Sequence, residues 1–148
     1  MDIEIIGNKE SADDIIYLTS QWDKSVAKCD SNLLAKDYIK NVEVFDIGTQ
    51  LVGSDKYKEL WSSCFPYFGE SPKVSRRKVK LYAGNDLAFM HFYSKVTGSN
   101  ITNPDEQPWC RTTVCFQKTN GAWSVVHEHI SMPIDFEKGV QALIIGEP

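Results

Sequence analysis

Basic charge, cysteine motifs and long apolar runs are all scarce in this chain of 148 residues. Lysine and arginine number 16 against 20 aspartate and glutamate residues, which gives a net charge of -4. Without an overall positive field to attract a phosphate backbone, no nucleic-acid partner is expected. The four cysteines form no C-x-x-C pair, so the sequence predicts neither a zinc ribbon nor a redox motif. No segment reaches the roughly 18 apolar residues of a membrane helix, so no membrane partner is expected either.

The cysteines and the first residues also predict where the protein resides. Four thiols without a disulfide pattern are typical of the cytosol, where thiols stay reduced. The first eight residues carry Asp2 and Glu4 and lack the basic start of a secretory signal. We therefore predict a cytoplasmic protein.

The remaining composition is that of an ordinary globular protein. Hydrophobic residues make up 42% of the chain and charged residues 24%, close to the averages for soluble domains. No repeat, low-complexity tract or Pro/Gly/Ser-rich linker divides the sequence. We expect a single domain over residues 1–148.

The first half of the chain is predicted to form three helices. The first helix spans about residues 11–29, with Ser11 as its N-cap, because apolar residues recur there at helical spacing: Ile15, Leu18, Trp22 and Val26. Asp30 or Ser31 then caps a short second helix. A third helix opens at Gly53-Ser54-Asp55, and Pro66 is expected to end it.

The second half is predicted to form a sheet. Runs of β-branched and aromatic residues, separated by turns, predict three or four antiparallel strands over about residues 74–82, 87–96, 110–118 and 123–131. The basic run Arg76-Arg77-Lys78 within the first strand is interpreted as a solvated strand edge. Helices followed by strands predict an α+β fold, in which the helices cover one face of the sheet and a homodimer usually covers the other.

Three groups of residues follow this pattern in a recognisable order. The chain contains Trp22 with Asp30, then Val44-Phe45-Asp46 with Gly53, and then Arg111-Thr112-Thr113-Val114 through Asn120-Gly121-Ala122-Trp123 to His127-Glu128-His129-Ile130-Ser131-Met132-Pro133. In this order and spacing they resemble the nuclear transport factor 2-like superfamily, and within it the SnoaL-like and ketosteroid-isomerase-like branch. The last group is also similar to the association domain of calmodulin-dependent kinase II.

The resemblance implies a cone-shaped fold. A strongly bent antiparallel sheet would wrap around the three N-terminal helices, in the roll also called cystatin-like, with an apolar pocket at its open end and a homodimer formed through the sheet. The resemblance spans about residues 11–133 and leaves residues 134–148 as a C-terminal tail. The superfamily includes isomerases, dehydratases, cyclases and oligomerisation modules, so the fold leaves the function open.

Asp46 is the first candidate catalytic residue. It stands sixteen positions after Asp30, the spacing that in ketosteroid-isomerase-like sequences places the proton-abstracting carboxylate at the pocket mouth. A carboxyl group beside an apolar cavity has a raised pKa and can serve as a base. The alternative is a strand-end aspartate that bonds to the turn at Ile47-Gly48.

The resemblance does not extend to the other groups of an isomerase site. Trp22 stands where the isomerases supply a tyrosine hydroxyl to the oxyanion, and Thr113 or Cys115 stands where they supply a protonated carboxylic acid. An oxyanion hole contributes several kcal/mol to catalysis. The fold and pocket therefore carry over from the resemblance, but the steroid isomerase reaction does not.

Two histidines two positions apart form the second candidate site. His127 and His129 point to the same face of a strand, and Glu128 points to the other face. Imidazoles titrate near neutral pH, so the pair is a candidate for acid–base catalysis. The alternative is a pair of histidines at a wet dimer interface. No second chelating pair accompanies them, so we predict no metal ion, and no other cofactor is expected.

The length of one hairpin loop decides which of these side chains Arg111 accompanies. A two-residue loop at Asn120-Gly121 places Arg111 with Glu128, as a pair that lines one face. A three-residue loop that begins one residue earlier places Arg111 with the two histidines, in a cluster suited to an anionic ligand. The sequence leaves both registers open.

Aromatic residues supply the expected pocket walls. Trp22 and Trp61, on helices that face the cone, are predicted to line it, together with Phe45 and Phe65. With Arg111 and Glu128 they form the predicted binding set for a small apolar or anionic ligand.

Two kinds of function remain open. One is an isomerase, dehydratase or cyclase that acts by proton abstraction, with Asp46, His127 or His129 as the catalytic residue. The other is a non-catalytic module for ligand binding or oligomerisation, in which the sheet makes the assembly.

Overall fold

Three helices pack against one curved sheet of seven strands in the structure, a computed structural model that describes residues 2–148. The helices are α1 (Lys9–Ala27), α2 (Ser31–Leu34) and α3 (Ser54–Phe68). The strands of this sheet are β1 (Ile3–Gly7), β2 (Tyr38–Phe45), β3 (Gln50–Val52), β4 (Lys73–Ala83), β5 (Leu87–Thr97), β6 (Cys110–Thr119) and β7 (Ala122–Ser131). A small hairpin of β8 (Ile134–Asp135) and β9 (Val140–Gln141) follows in the tail. The predicted α+β class is confirmed.

Local side-chain chemistry sets the ends of the helices. Helix α1 begins earlier than predicted, because the side chain of Asn8, and not that of Ser11, is the N-cap: Asn8 Oδ1 accepts the Ser11 N–H at 2.9 Å. Asp30 caps α2 as predicted, by accepting the Leu33 N–H at 3.0 Å. The prediction that Pro66 ends α3 is wrong, because the helix continues to Phe68. The proline lies in the last turn and removes only one N–H from the helix.

The sheet as a whole is mixed, whereas the resemblance implied an antiparallel one. Its strand order is β1-β4-β5-β6-β7-β2-β3. The four predicted strands form the antiparallel centre β4 to β7, but β1 pairs with β4 and β2 pairs with β7 in parallel. Both parallel strands come from the helical half of the chain, and helices provide the long crossovers that parallel pairs need.

A bulge in β7 decides which residues face the inside of the cone. The β6–β7 hairpin closes with the two-residue loop Asn120-Gly121, whose φ angles of 52° and 81° suit a type I′ turn. Further along, the register shifts between the pairs Phe116–Val125 and Cys115–His127, so Val126 has no partner of its own. The extra residue reverses the side of the sheet on which every later residue of β7 lies.

The structure therefore has the two-residue loop of the first alternative and the Arg111 position of the second. The loop has two residues, yet Arg111 pairs with Ser131 and shares the outer face with His127 and His129. Glu128 pairs with Val114 on the inner face. Both sequence-based alternatives assumed a regular ladder, and a bulge inside the strand changes the outcome of either.

The hydrophobic core fills only part of the space between the helices and the sheet. Alternate residues of β5 and β6 point inward and are buried: Ala88, Met90, Phe92, Thr112, Val114 and Phe116. Helix α1 covers one end of this face with Ala12 and Ile15, both of which are fully buried. Toward the other end, a cavity opens between the sheet and the helices α1 and α3.

The basic run on β4 differs from the predicted solvated edge. Its side chains alternate between the two faces, so Arg76 points inward with only 5% of its side chain exposed. Arg77 points outward and donates to Glu147 of the C-terminal tail at 2.6 Å. The tail thus contacts its own sheet.

Within residues 2–148, none of the helices combines the length and the apolar character that crossing a membrane requires.

Candidate functional site

The candidate site is a cavity of about 570 Å³ inside the cone. Its walls come from the inner face of the sheet and from α1 and α3, and they are mainly apolar. Polar side chains interrupt these walls, among them Tyr38, Asp46, Tyr57, Arg76 and Glu128. A largely apolar cavity with a few converging polar groups is the usual form of a small-molecule site.

Glu128 is the most deeply placed carboxyl group of this cavity. Only 6% of the residue is exposed. The Tyr38 hydroxyl donates to Glu128 Oε1 at 2.8 Å, and the Tyr57 hydroxyl donates to the Tyr38 oxygen at 2.9 Å. The two tyrosine rings stack with their centres 4.3 Å apart. This chain of hydrogen bonds holds the carboxyl group in one orientation.

Burial brings the titration of Glu128 close to neutral pH. Loss of solvent raises its pKa to about 7, and the negative charge of Asp46 acts in the same direction. The hydrogen bond from Tyr38 favours the ionised form and opposes this rise. Near neutral pH the protonated and the ionised forms of Glu128 are therefore both populated, which suits a general acid or base.

The two tyrosines remain protonated at neutral pH. Burial raises the pKa of both Tyr38 and Tyr57 well above the ordinary value, and the charge of Glu128 adds to the rise. Each therefore acts as a hydrogen-bond donor beside Glu128.

Asp46 lies at the same wall of the cavity as Glu128. Val44 is the Cα partner of Glu128, and Asp46 follows two positions later, so the pleat of β2 turns its side chain to the same inner face. Burial raises the pKa of Asp46, while a backbone hydrogen bond from Ile47 lowers it. The two interpretations of Asp46, pocket carboxylate and turn residue, thus describe the same side chain.

The two predicted tryptophans line the cavity. Trp22 and Trp61 meet edge to face with their ring centres 5.4 Å apart, and both border the space in front of the tyrosines. Phe65 is buried against Trp61, with ring centres 5.6 Å apart, and supports this wall from behind without bordering the cavity.

An ion pair between the buried Arg76 and the partly exposed Asp23 completes the inner wall. Arg76 donates from both terminal nitrogens to the two carboxylate oxygens of Asp23, at 2.8 Å each. The guanidinium lies 5.7 Å from the centre of the Trp22 ring and 5.1 Å from that of Phe92. Asp23 thus neutralises the positive charge of Arg76, and the two rings enclose it.

Four residues predicted for the pocket lie outside it, on the outer face of the sheet. Phe45 is 42% exposed and contacts His127 and His129, with ring centres 4.8 and 5.4 Å away. His127 Nδ1 bonds to the Glu43 carbonyl at 2.6 Å, and Arg111 Nε donates to Ser131 Oγ at 3.1 Å. The expectation that these residues face the cavity is wrong: the bulge at Val126 turns the two histidines outward, while the pleats of β6 and β2 place Arg111 and Phe45 on the outer face beside inward Thr112 and Val44.

Sequence reasoning missed the partners of Glu128. Tyr38 lay in no predicted element, and Tyr57 lay within the predicted third helix without a role of its own. The available signal was their amphipathic character, since a buried tyrosine needs a partner for its hydroxyl. That partner is 90 residues away from Tyr38 in the chain.

No group of three or more His, Cys, Asp or Glu side chains suited to a metal ion occurs within residues 2–148.

Comparisons with known proteins agree with the geometry. The profile of the SnoaL-like domain family matches residues 15–135. No curated protein matches the sequence. A nuclear transport factor 2-like protein of unknown function from Pseudomonas putida has a similar structure, with a TM-score of 0.80, 23% identity and coverage of 92% of this chain and 96% of that chain.

Two further solved structures are candidate dehydratases. A candidate scytalone dehydratase from Novosphingobium aromaticivorans has a TM-score of 0.66 at 13% identity, over 80% of this chain and 81% of that chain. A candidate dehydratase of the nuclear transport factor 2-like family from Streptomyces avermitilis has a TM-score of 0.68 at 12% identity, over 83% and 96%. At these identities the likeness shows the fold, and the superfamily expected from the sequence is confirmed.

Proposed function

The chain belongs to the SnoaL-like domain family, and we propose that it binds a small, mostly apolar molecule in the cavity and catalyses proton transfer on it, with Glu128 as the acid–base group. One observation carries this proposal: a carboxyl group that titrates near neutral pH borders an apolar cavity and is held by a tyrosine hydroxyl. A general acid–base catalyst works best with a pKa near the working pH.

The hydrogen-bond arrangement supports a role for Glu128 as the base. Tyr38 binds Oε1, which leaves Oε2 for the ligand. In a proton shift, the Glu128 carboxylate takes a proton from a carbon next to a carbonyl group, and the electron pair of the broken C–H bond moves onto the carbonyl oxygen. If a C=C bond is conjugated with this enolate, the electron pair moves back through it and the far carbon of that bond takes the proton from Glu128; without such a bond, the proton returns to the same carbon. The enzyme ends unchanged, and no oxidant or cofactor enters the step.

Asp46 supports a related reaction, the loss of water. Burial raises its pKa, so Asp46 takes up a proton more easily than a solvated aspartate and can pass it to a leaving hydroxyl group. Glu128 would take the proton next to the carbonyl, the C–O bond would break, and the hydroxyl would leave as water with the proton from Asp46. The two candidate dehydratases among the solved structures share the fold that holds these groups.

Deuterium exchange tests the proton transfer with model compounds in place of the natural substrate. A panel of small ketones and β-hydroxy ketones is incubated with the protein in heavy water, and mass spectrometry follows deuterium uptake and loss of water. We expect exchange of at least one compound by the wild type and loss of about 10²–10⁴-fold in rate in Glu128→Gln.

The matched control is Glu43→Gln, which changes an exposed glutamate on the neighbouring strand. This variant should keep the wild-type exchange rate. Equal rates in the wild type and Glu128→Gln, or no exchange of any compound, would contradict the catalytic proposal and favour a module that only binds.

We also propose that the outer face of the sheet forms a homodimer. Aromatic and apolar side chains are exposed there, with Phe45 at 42% and Phe89 at 44%, and Tyr82 stacks on Phe89 at 4.7 Å. The family likeness implies the same face, and exposed apolar patches of this kind commonly mark interfaces. Sedimentation of the wild type should give twice the chain mass of 16.8 kDa, and Phe89→Lys should give a monomer. A monomeric wild type would contradict the dimer.

The four cysteines support a cytoplasmic location, which we also propose. All four are free in the described chain. A reporter fusion that fluoresces only in a reducing compartment would test this location.

A further inference from the structure

The charged groups that border the cavity differ in whether they already have a partner within the protein. Two carboxyl groups, Asp46 and Glu128, and two cations, Arg76 and Lys95, contribute to its walls. Within residues 2–148, neither carboxyl group forms an ion pair. Apart from the Arg76 charge, which lowers the pKa of Glu128 and is shared with Asp23, an ion-pair partner for either carboxyl group would come from the bound molecule.

Both cations are already engaged elsewhere. Arg76 is bound through two hydrogen bonds to Asp23. Lys95 Nζ donates to the Pro104 carbonyl at 2.8 Å and lies 4.7 Å from the centre of the Trp109 ring. The charge of Arg76 is thus compensated by Asp23, which leaves only its Nε without a partner, and the Lys95 ammonium is held by a carbonyl and an aromatic ring.

The aromatic walls favour a positive charge as well. Trp22, Trp61, Tyr38 and Tyr57 border the same space as Glu128; the Trp22 ring already has the Arg76 guanidinium over one face, and the two tyrosine rings stack on each other. The face of an aromatic ring attracts a cation, by about 2 kcal/mol or more when the cation is desolvated, and tryptophan is the strongest of these partners. The aromatic rings and the carboxylates thus both favour a positively charged ligand.

We propose that the molecule bound in this cavity carries a cationic group, such as a protonated amine, on an apolar skeleton, and that a carboxylate on the same skeleton is rejected. This inference rests on the proposed function, because it names the class of ligand for the same cavity. It replaces the anionic ligand considered from the sequence, which depended on an inward-facing Arg111.

The proposal carries a pH dependence. Four groups act on Glu128: Tyr38 from β2, Asp46 from the turn after β2, Tyr57 from α3 and Arg76 from β4. The charge of Arg76 is neutralised by Asp23 from α1. A ligand cation favours the ionised form of Glu128, so binding releases a proton when Glu128 starts protonated. The affinity is therefore full above pH 7 and falls as the pH drops below it, by at most about tenfold per pH unit for one proton.

Three probes that differ only in their polar group test the class of ligand. They are 1-adamantylmethylamine, 1-adamantylmethanol and 1-adamantanecarboxylate, with the cyclohexyl series as a second skeleton, measured by isothermal titration calorimetry at pH 6, 7 and 8. An alkylamine stays protonated over this range, since its pKa is near that of lysine, about 10.4. We expect the amine to bind at least about tenfold more tightly than the alcohol at pH 8 and the carboxylate to bind most weakly.

Two variants assign the preference to Glu128. Glu128→Gln should lower the affinity for the amine and remove its pH dependence, while the alcohol still binds. Glu43→Gln, on the outer face, should match the wild type in both respects.

The possible failures are distinguishable. If the alcohol or the carboxylate binds as tightly as the amine, the cationic class is overturned while a ligand-binding cavity stands. An amine preference that survives in Glu128→Gln also overturns the assignment. If no probe of either skeleton binds, the cavity is not a ligand site, and the proposed function fails with it.

Discussion

Replacing Glu128 by glutamine should stabilise the protein relative to the wild type more at alkaline pH than at acid pH. Glutamine keeps an oxygen that can accept the Tyr38 hydrogen bond, seen at 2.8 Å in the wild type, but it cannot ionise. The variant therefore isolates the free energy of placing a negative charge in the apolar cavity. Any constant effect of the new amide group is the same at all pH values.

The magnitude follows from the two pKa values of Glu128. Burial raises the pKa to about 7 in the folded protein, from 4.5 when solvated. One pKa unit corresponds to about 1.4 kcal/mol, so ionising Glu128 in the folded state costs about 3 kcal/mol. The folded protein binds this proton more tightly than the unfolded chain. Its contribution to stability is thus fully present below pH 4.5 and is lost as the pH rises through 7.

The assay is unfolding in urea at pH 5, 6, 7 and 8 for the wild type and Glu128→Gln. The difference between their free energies of unfolding should shift by about 2–3 kcal/mol in favour of the variant from pH 5 to pH 8, because most of the titration falls in this range. Other titrating groups, including Asp46, are common to both proteins and largely cancel in the difference.

Parallel profiles would refute this reasoning. If the two free energies differ by a constant within about 0.5 kcal/mol over the whole range, Glu128 has the same pKa in both states. Its carboxyl group would then be solvated, and neither the base nor the cation partner proposed above would retain its physical ground.

Three further predictions follow from other contacts. Tyr38→Phe removes a hydrogen bond that favours the ionised form of Glu128, so carbon-13 NMR of labelled protein should find the pKa of Glu128 further above 7, and an unchanged value would disprove this contact. Asp23→Asn leaves the guanidinium of Arg76 buried without its counter-charge and should lower the free energy of unfolding in urea by about 3 kcal/mol, whereas a loss under about 1 kcal/mol would mean that the pair is solvated. Gly98→Ala places a Cβ against the last backbone carbonyl of α3. This overpacking should destabilise the fold by about 1–3 kcal/mol and so lower the midpoint of thermal unfolding. An unchanged midpoint would show that the loop moves freely.

Patterns that depend on near neighbours were predictable. The spacing of apolar residues gave α1 and α3 within a few residues, and alternation with turn residues gave β4 to β7 almost as the structure has them. Trp22 and Trp61 were placed at the cavity for the same reason, since the inward side of a helix follows from its own sequence. Local pairing of Asp30 with Leu33 likewise set the start of α2.

What lay beyond local pattern was the pairing of distant strands. The sequence by itself determined an α+β fold with an apolar aromatic interior, because periodicity and composition act over a few residues. Only the tertiary structure decided that Glu128 faces inward beside Tyr38 and Tyr57 while His127, His129 and Arg111 face outward. The bulge at Val126 in β7 and the parallel pairing of β2 with β7 are set by how the whole sheet bends around the helices, and one residue of register exchanges the two faces of a strand.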